Sequence, residues 1–374
     1  MSFRKLIVSC GGTGGHFYPG LSIAREFQKQ GGDALLLLGG KHADAQKKTA
    51  ESFGIRAVKI SATPFSLKPV PLIRFKLAVF RGAFQCLRIF RAFHPDALLS
   101  MGSFASFPPV VACFLSRVPL FLHDGNVRLG KANLRMSPLA KALALSFPTP
   151  DSARCGCPAI LTGMPLRPEL LQDIPSREEA IDRINRRWNC SFRKEVPTVL
   201  IFGGSLGAEN INKSCRIPHG TPENALQLIH LTGTGKREEL SAFYEGASFQ
   251  RLLLETAPEM DWFYAAADWV VCRAGGSTVS ELACFGKYAV LVPYPFAVQD
   301  HQTENARYLT PSGGAELIPD RELTEERFVS KLQDFLKNPE EYREKGLRLK
   351  ELAFPDASAN ILKMIDNLLA ASCS

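Results

Sequence analysis

The chain has 374 residues, enough for two domains of ordinary size, and its composition is that of a globular protein. It contains no stretch approaching the roughly 18–20 consecutive apolar residues of a membrane span, and its first apolar run is too short for a signal peptide. The net charge of +8 is uneven, because residues 1–162 carry 21 Lys and Arg against 7 Asp and Glu (+14), whereas the remainder carries 24 against 30 (−6).

Short apolar strands alternate with helical patterns along the first half of the chain. This alternation predicts a parallel sheet with helices on both faces. The predicted strands are 6–9, 34–38, 57–60, 97–100, 120–123 and 142–146, and the predicted helices are 19–30, 44–53 and 72–93.

The second half repeats the same alternation after a Pro- and Gly-rich span, residues 147–176, that we expect to be a linker. We therefore expect one Rossmann-like domain over 1–162 and a second Rossmann-like domain over 163–355. The terminal helix, 357–371, can pack back on the first domain. The predicted strands of the second half are 198–202, 227–231, 269–272 and 289–293, and its predicted helices are 208–215, 278–285 and 301–309.

Two glycine loops, 11–15 and 203–207, each follow a short apolar strand and precede a helical pattern. Glycines let the backbone turn sharply and approach a ligand closely. The following helix directs free N–H groups and a positive dipole end toward that ligand, which favours phosphate. The repeat predicts two doubly wound domains that face each other across a cleft and share one phosphorylated ligand.

The first loop reads G-G-T-G-G-H, which is not the G-x-G-x-x-G fingerprint of dinucleotide-binding domains. His16 lies at its end, where an imidazole can serve as general base toward a hydroxyl. Two alternatives stay open at this point: the glycines make a plain turn, or His16 is a packing or helix-capping side chain.

The block from Arg273 to Glu281 follows another predicted strand and opens another helix. In a purely structural interpretation, Ser277 or Thr278 caps this helix and Glu281 completes a capping box. In the functional interpretation, the glycines admit a sugar nucleotide and Glu281 accepts hydrogen bonds from two ribose hydroxyls. The polar segment 300–306 is either positioned to contact sugar hydroxyls or is an ordinary helix start capped by Asp300.

The segment 71–95 combines apolar residues on too many sides for one buried stripe with five cations and no acid. A basic amphipathic helix with exposed aromatic residues favours an anionic membrane surface. The alternative is a core helix with a solvated basic edge. No nucleic-acid-binding motif accompanies the charge, so we expect no nucleic acid partner. The predicted membrane contacts are Arg74, Phe75, Phe80, Arg81, Phe84, Arg88 and Arg91.

The ten cysteines include no Cys-x-x-Cys pair, so no zinc site is indicated. We interpret them as reduced and mostly buried in a cytoplasmic protein.

Taken together, the motifs resemble glycosyltransferase family 28, in particular the bacterial N-acetylglucosaminyltransferases that make lipid II in peptidoglycan synthesis. The motifs are G-G-T-G-G-H-F-Y-P-G-L at 11–21, M-G-S-F-A-S-F-P at 101–108, H-D-G-N at 123–126, T-G-M-P-L-R at 162–167, G-G-S-L-G-A at 203–208, R-A-G-G-S-T-V-S-E at 273–281 and D-H-Q-T-E-N-A at 300–306.

The resemblance implies a GT-B fold and an inverting transfer of N-acetylglucosamine from UDP-N-acetylglucosamine to the muramyl 4-hydroxyl of lipid I, without a bound metal or other cofactor. The enzyme would work as a peripheral protein on the cytoplasmic face of the bacterial membrane, with cell-wall synthesis proteins as possible partners. His16 is the implied base. The implied donor-binding residues are Thr13, Gly14, Gly15, Asn126, Arg167, Ser205, Ala257, Gly276, Ser277, Thr278, Glu281, His301 and Gln302. The implied acceptor and pyrophosphate residues are Gly12, Thr13, Gly14 and Ser103. The resemblance thus makes 1–162 the acceptor- and membrane-facing domain and 163–355 the UDP-sugar donor domain.

Several positions depart from the family pattern, which has Glu-Gln at 124–125, Asn at 164 and Gln at 206 where this chain has Asp124, Gly125, Met164 and Leu206. The stretch around Ala257, expected at the uracil, lacks the usual Phe-Ile. Asp124 and Gly125 alter the hydrogen-bonding groups expected on the acceptor side, so a changed acceptor substrate stays open as an alternative.

Other functions remain as alternatives: a related glycosyltransferase, a UDP-sugar 2-epimerase, or a non-catalytic nucleotide-sugar or lipid-binding protein. An NAD-dependent oxidoreductase is disfavoured by the glycine spacing.

Overall fold

The computed structural model describes residues 3–62, 69–204 and 206–371, and for residues 69–74 the backbone alone. The chain divides into two units. Unit 1 comprises the chain up to Arg167 together with the segment from Phe354 onward, and unit 2 comprises Pro168–Ala353. The division therefore falls a few residues after the sequence-based boundary at 162/163.

Unit 1 is built on a parallel sheet of seven strands in the order β3-β2-β1-β4-β5-β6-β7. Most of the strands are runs of buried apolar residues, as expected for a sheet covered on both faces, whereas the edge strand β3 also carries exposed Arg56 and Lys59. The strands are β1 Lys5–Gly11, β2 Asp33–Gly39, β3 Arg56–Ile60, β4 Ala97–Ser100, β5 Leu120–Asp124, β6 Ala142–Leu145 and β7 Ala159–Leu161.

Helices cover both faces of the first sheet and form two separate cores. They are α1 Gly14–Lys29, α2 Ala43–Ser52, α3 Pro69–Phe93, α4 Phe107–Ser116 and α5 Lys131–Met136. On one face, α1 and α2 contribute buried residues such as Phe17, Phe27 and Ala50. On the other face, α3, α4 and α5 contribute buried residues such as Phe90 and Val110.

Unit 2 repeats this design with six parallel strands in the order β10-β9-β8-β11-β12-β13. The strands are β8 Thr198–Phe202, β9 Gln227–Leu231, β10 Arg251–Leu254, β11 Trp269–Cys272, β12 Ala289–Leu291 and β13 Ala315–Leu317. The helices are α6 Pro168–Leu171, α7 Arg177–Trp188, α8 Glu209–Ser214, α9 Arg237–Phe243, α10 Met260–Ala266, α11 Gly276–Phe285, α12 His301–Leu309, α13 Glu325–Lys337 and α14 Pro339–Leu347.

The last helix, α15 Ala357–Ala370, packs on α1 of unit 1. Its buried residues Ile361, Leu362 and Ile365 belong to the same core as Phe17 and Phe27. After forming unit 2, the chain thus returns to unit 1, where α15 is the third helix on one face of the first sheet.

A buried carboxylate connects helices and strands where the central strands of the second sheet begin. Asp268 is 3% exposed and accepts hydrogen bonds from Arg177 on α7 and Arg343 on α14. It also accepts from the backbone N–H of Thr198 at 2.8 Å, at the start of β8. The ion pairs therefore join two helices to two central strands at the edge opposite to the glycine loops.

The span 147–176 is not a plain linker, which corrects that expectation. It contains β7, whose Ala159 pairs with Leu143 of β6, and also α6. The first helix begins at Gly14, five positions before the predicted start at residue 19, because Pro19 is accommodated inside it. The elements that were not predicted are helices α4, α5, α6, α7, α9, α10, α13 and α14 and strands β7, β10 and β13.

In the described part of the chain, no helix is both long enough and apolar enough to cross a bilayer. All the cysteines of the described residues are free, and Cys10, Cys86, Cys113, Cys215 and Cys272 are buried.

Candidate functional site

Each glycine loop lies at the point where its sheet reverses the direction of strand order. In unit 1 the chain passes from β1 to β2 on one side and later returns to β4 on the other, and in unit 2 it does the same with β8, β9 and β11. The carboxyl ends of the two diverging strands leave a crevice at such a switch point, which is where open α/β sheets bind ligands. Loop 11–15 follows β1, and loop 203–207 follows β8.

In unit 1, the loop places His16 in the first turn of α1, half-buried. Its Nδ1 is 3.0 Å from the hydroxyl oxygen of Thr13, the residue that precedes the helix. The first-turn amides of Gly14 and Gly15 have no acceptor inside the helix, as in any helix start. A Cβ added to Gly12 would lie 3.8 Å from the Ser103 hydroxyl, so the loop after β4 adjoins this loop. The predicted residues Gly12, Thr13, His16 and Ser103 therefore lie close together.

The imidazole of His123, at the end of β5, lies behind this loop and is 2% exposed. Burial is the main cause that lowers the pKa of His123 to about 3; the charge of nearby His16 contributes in the same direction, and a hydrogen bond with the Gly163 backbone opposes both. His123 is therefore neutral at physiological pH, and its Nε2 lies 3.0 Å from the Ser146 hydroxyl.

Asp124, one of the departures from the family pattern, is buried and holds the loop that follows β5. Its carboxylate accepts hydrogen bonds from the backbone of Asn126 and Gly130 and from the Asn133 amide at 2.9 Å. Asp124 thus shapes the backbone around half-buried Asn126.

Two further departures, Gly125 and Met164, touch each other. A Cβ added to Gly125 would lie 3.2 Å from the Met164 methyl group, so the methionine occupies space that a larger residue at 125 would need. The two departures therefore accommodate one another locally.

Arg167 is the last residue of unit 1, and its guanidinium lies 5.8 Å from the centre of the Tyr18 ring on α1. The sequence assigned it to the second domain, which the structure corrects. Its contact with the donor stays a prediction.

In unit 2, the second loop requires glycine because the backbone packs against itself. A Cβ on Gly203 would clash with the backbone N–H of Ala208, and one on Gly207 would clash with the Thr232 carbonyl oxygen. Gly207 also has a φ of +69°, which side chains rarely adopt. Ser205 lies outside the described residues, so its predicted contact with the diphosphate stays a prediction.

A cavity of about 810 Å³ opens above this loop. The loop after β8, the loop after β11 and the loop after β12 form its walls. Predicted residues Thr278 and Gln302 line it, and so do residues that the sequence analysis missed: Phe202, Asn210, Arg273, Tyr294, Phe296 and Asp320. Leu206, which departs from the family pattern, lines it as well and is 82% exposed.

A smaller cavity of about 200 Å³ shares Phe202 and Gly204 with the larger one. Its lining includes Ala257, in the loop after β10, and Glu281, on α11. The carboxylate and the segment expected at the uracil are therefore brought together beside the glycine loop, as a nucleoside next to its phosphates would need.

Helix α11 begins at Gly276 with Gly275 as its N-cap, and no side chain caps it. This overturns the structural alternative in which Ser277 or Thr278 caps the helix and Glu281 closes a capping box. Glu281 instead accepts a hydrogen bond from the Tyr264 hydroxyl at 2.9 Å. The helix start of Gly276, Ser277 and Thr278 is left open, and Thr278 borders the larger cavity.

The next helix start is fixed by its own side chains. His301 Nδ1 donates to the Val298 carbonyl oxygen at 2.8 Å, and the Gln302 side-chain oxygen accepts from the Tyr294 backbone at 2.9 Å. Asp300 accepts from the Thr303 hydroxyl but makes no side-chain hydrogen bond that caps the helix, so the alternative of an ordinary start capped by Asp300 is wrong. His301 borders neither cavity directly, but it precedes Gln302, which does.

Arg273 organises the walls of the larger cavity, and the sequence analysis did not single it out. Its guanidinium donates to the backbone oxygens of Val292 and Pro293, each at 3.0 Å, and pairs with Asp320. It thereby links the ends of β11 and β12 to the segment after β13. Its position two residues before Gly275, at the start of the glycine motif, was the available signal.

Beneath the loop, buried His230 on β9 contacts Asn212 on α8, with Nε2 donating to the amide oxygen over 3.1 Å. Asn212 in turn donates to the Thr232 carbonyl at 2.8 Å. His230 Nδ1 has no hydrogen-bond partner within the described residues, and burial lowers the pKa of this histidine to about 3. The neutral ring of His230 is therefore linked through Asn212 to Thr232, whose carbonyl oxygen packs against Gly207 of the glycine loop.

This burial predicts a loss of stability in acid. In the unfolded chain, His230 takes up a proton near its ordinary pKa of 6.5, whereas in the folded chain it does so only near pH 3. The free energy of unfolding therefore falls as the pH drops from 6.5 toward 3. Between pH 7 and 5, the free energy of unfolding of wild type should fall by about 2 kcal/mol more than that of His230→Gln, as measured by urea unfolding. Exposed His219→Gln should behave like wild type, and equal pH dependence of wild type and His230→Gln would contradict the assignment.

Helices α3 and α4 of unit 1 form an apolar surface apart from the glycine loop. Phe80 is 74% exposed and Phe114 is 67% exposed, and a cavity of about 340 Å³ between the helices is lined by Phe75, Phe84 and other apolar side chains. Arg81, Arg88 and Arg91 are exposed along α3. The backbone of Arg74 lies in α3, but its side chain is outside the described part.

Among the described residues, no group of three or more His, Cys, Asp or Glu side chains is placed to hold a metal ion.

Two parallel-sheet domains, each with a phosphate-suited glycine loop at its switch point, define an α/β protein built to bind a phosphorylated ligand. Family models narrow this class. The N-terminal domain of glycosyltransferase family 28 matches residues 6–145, and the C-terminal domain of that family matches residues 198–361. The chain belongs to glycosyltransferase family 28 and is a glycosyltransferase, which confirms the family predicted from the motifs.

Curated relatives match over nearly the whole chain. Proteins named UDP-N-acetylglucosamine–N-acetylmuramyl-(pentapeptide) pyrophosphoryl-undecaprenol N-acetylglucosamine transferase are similar to it in Thermodesulfovibrio yellowstonii (32% identity, 98% of this chain and 99% of the relative) and Azotobacter vinelandii (34% identity, 96% and 97%).

Solved structures confirm the predicted GT-B fold class. The crystal structure of Acinetobacter baumannii MurG matches with a TM-score of 0.75 at 25% identity, over 97% of this chain and 99% of that one. The UDP-GlcNAc 2-epimerase of Neisseria meningitidis matches with a TM-score of 0.67 at 12% identity, over 97% and 100%, which shows a shared fold alone.

Proposed function

We propose that this protein transfers N-acetylglucosamine from UDP-N-acetylglucosamine to the muramyl 4-hydroxyl of undecaprenyl-pyrophosphoryl-muramyl-pentapeptide (lipid I), giving lipid II. The observation that carries the proposal is the pair of adjoining cavities at the switch point of unit 2, in a chain of family 28. The names of its full-length relatives supply the donor and acceptor.

Unit 2 is assigned to the donor. The diphosphate would lie against the loop 203–207 and the open start of α11, where backbone N–H groups and helix dipoles favour negative charge. The uridine would enter the smaller cavity, with the uracil at Ala257 and the ribose at Glu281. Thr278 and Gln302 would then meet the sugar in the larger cavity, with Gly276, Ser277 and His301 beside them.

Unit 1 is assigned to the acceptor and to the base. The loop 12–15 and Ser103 would meet the lipid pyrophosphate, with Asn126 nearby. His16 would remove the proton of the 4-hydroxyl as its oxygen attacks the anomeric carbon, the bond from that carbon to the β-phosphate oxygen breaks, and UDP leaves. The Thr13 hydroxyl oxygen lies 3.0 Å from His16 Nδ1 and can orient the imidazole for this step.

We expect the reaction to need no bound metal. The charge that develops on the departing UDP can be stabilised by oriented N–H groups, helix dipoles and a guanidinium such as that of Arg167.

The experiment that tests the function mixes the protein with UDP-N-acetylglucosamine and a lipid I analogue and follows UDP release. We expect release that depends on the acceptor, together with a disaccharide product. Release without acceptor, together with conversion of the free sugar, would indicate an epimerase of the same fold instead. No acceptor-dependent UDP would reject the proposal.

We further infer that the apolar surface of α3 and α4 contacts an anionic membrane, where a lipid-linked acceptor resides, on the cytoplasmic face. The exposed side chains of Leu77, Phe80, Phe84 and Phe114 supply an apolar patch, and Arg81, Arg88 and Arg91 supply the surrounding charge. Cys86 and Phe90 of the same helix are buried in the core, so α3 serves both the core and the surface. Such a combination favours the headgroup region of anionic lipid.

Reversing three charges should weaken vesicle binding strongly. Each cation near an anionic surface contributes about 1 kcal/mol, so changing Arg81, Arg88 and Arg91 to Glu should lower the partition constant on anionic vesicles by at least about 100-fold. Sedimentation with vesicles that contain anionic lipid measures it. The matched control reverses Lys29, Lys47 and Lys48, on the helices that cover the other face of the sheet. Equal loss in both triple variants would reject a localised surface.

A further inference from the structure

A buried tyrosine contacts the carboxylate that we assign to the ribose. The hydroxyl of Tyr264, on α10, donates to Glu281 Oε2 on α11 at 2.9 Å. Tyr264 is fully buried and does not line the smaller cavity, whereas Glu281 does. The hydrogen bond therefore reaches Glu281 from the protein side and not from the ligand side.

The ring of Tyr264 is held on two sides. It is stacked on Phe285, with ring centres 5.1 Å apart, and meets Phe202 edge-on at 6.0 Å. Phe285 ends the helix that carries Glu281, and Phe202 ends β8 directly before the glycine loop. With its ring fixed by packing, the tyrosine offers its hydroxyl at one place only.

We propose that Tyr264 is a positioning residue that sets the Glu281 carboxylate for the ribose and thereby makes the site prefer ribonucleotides to deoxyribonucleotides. The inference rests on the proposed function, because it takes the ligand of the smaller cavity to be the nucleoside of UDP-N-acetylglucosamine. Tyr264 itself would not touch the ligand.

The chemistry of a carboxylate explains why such a partner matters. A glutamate has three side-chain torsions, and fixing them on ligand binding costs conformational entropy. A hydrogen bond to Oε2 from a rigid donor fixes the carboxylate before the ligand arrives. A carboxylate has about four lone-pair positions, so one bond to tyrosine leaves acceptor capacity for vicinal hydroxyls. Preorganisation of this kind raises affinity by lowering the ordering cost.

The test compares the binding of UDP and of 2′,3′-dideoxy-UDP by calorimetry, in wild type and Tyr264→Phe. Wild type should prefer UDP by about 100-fold. Tyr264→Phe keeps the ring packing and loses only the hydroxyl, so its preference for UDP should shrink about tenfold while its affinity for the dideoxy nucleotide stays as in wild type.

Two further variants separate positioning from a structural effect. Tyr244→Phe removes another buried hydroxyl of unit 2, one that accepts from the Ile217 backbone, and should keep the wild-type preference. In a Glu281→Ala background, Tyr264→Phe should change the preference no further, because the group that it positions is gone.

Some outcomes overturn the inference. Tyr264→Phe with an unchanged preference for UDP rejects the positioning role, and so does an equal loss of affinity for both nucleotides, which would indicate a general structural effect. A wild-type protein that binds UDP without preferring it to the dideoxy form rejects the ribose contact but leaves the transfer reaction standing. A wild-type protein that does not bind UDP overturns the proposed function as well.

Discussion

Replacing His16 by alanine is expected to lower turnover about 10²–10⁴-fold while leaving the affinity for UDP nearly unchanged. The range is the typical contribution of a positioned general base. The donor is assigned to unit 2, whereas His16 belongs to α1 of unit 1. Removal of the imidazole should therefore not disturb the cavities that the second glycine loop lines. Steady-state rates with a lipid I analogue give turnover, and calorimetry with UDP gives affinity.

The matched control for this prediction is His219→Ala. His219 is exposed in unit 2, where its ring contacts Phe243 alone among aromatic residues of the described chain, and its loss should leave both measurements at wild-type values. If His16→Ala instead loses UDP affinity in step with turnover, His16 is a binding group and another residue is the base. If turnover is within a few-fold of wild type, neither role stands.

A neighbour of His16 allows a finer version of the experiment. Thr13 lies 3.0 Å from Nδ1 and can fix which ring nitrogen carries the proton. Thr13→Val should therefore lower turnover by a smaller factor, about tenfold, the worth of one ordinary hydrogen bond. A loss as large as that of His16→Ala would contradict a role limited to orienting the imidazole.

The central strands were predictable because each is an uninterrupted apolar run that both faces of the sheet bury. Strands β1, β4, β8 and β11 are of this kind, and the glycine loops that follow β1 and β8 mark the switch points. Strands β10 and β13 were missed for the opposite reason. They are four and three residues long, Arg251 begins β10 and Glu316 is the middle residue of β13. Neither strand therefore has an apolar run longer than three residues, and pairing with β9 and β12 makes them strands.

The candidate site divides in the same way. Thr278, Glu281 and Gln302 were found because they stand within contiguous motifs. Tyr264 and Asp320 were missed because they act through partners distant in sequence, Glu281 and Arg273 respectively. Their own surroundings carry no motif, since a tyrosine in an apolar helix looks like any core residue.

The departures from the family pattern also changed meaning once their contacts were known. The Asp124 carboxylate accepts hydrogen bonds from three donors in the adjoining loop and the start of α5, and Met164 fills the space beside Gly125. Both are local adjustments of unit 1, and neither requires a different acceptor. Leu206 is the exception, because it is exposed at the larger cavity and has no packing partner that explains a leucine.

Replacing Glu281 by alanine should lower kcat/KM for UDP-N-acetylglucosamine by about 100-fold or more. Hydrogen bonds to a charged group contribute about 1.5–3 kcal/mol each, and the proposal assigns two ribose hydroxyls to this carboxylate. Glu281→Gln keeps one acceptor oxygen without the charge, so its loss should be smaller, about tenfold. Steady-state rates with varied donor concentration measure both effects.

The control for Glu281 is Glu344→Ala, which removes an exposed carboxylate from α14 and should leave kcat/KM at its wild-type value. The pattern of losses also identifies what the carboxylate contacts. A loss seen with UDP-N-acetylglucosamine but absent with a donor lacking the ribose hydroxyls places Glu281 at the ribose. Equal losses with both donors would mean that Glu281 maintains the cavity wall or the start of α11, and the nucleoside would then have to be assigned to other residues of that cavity.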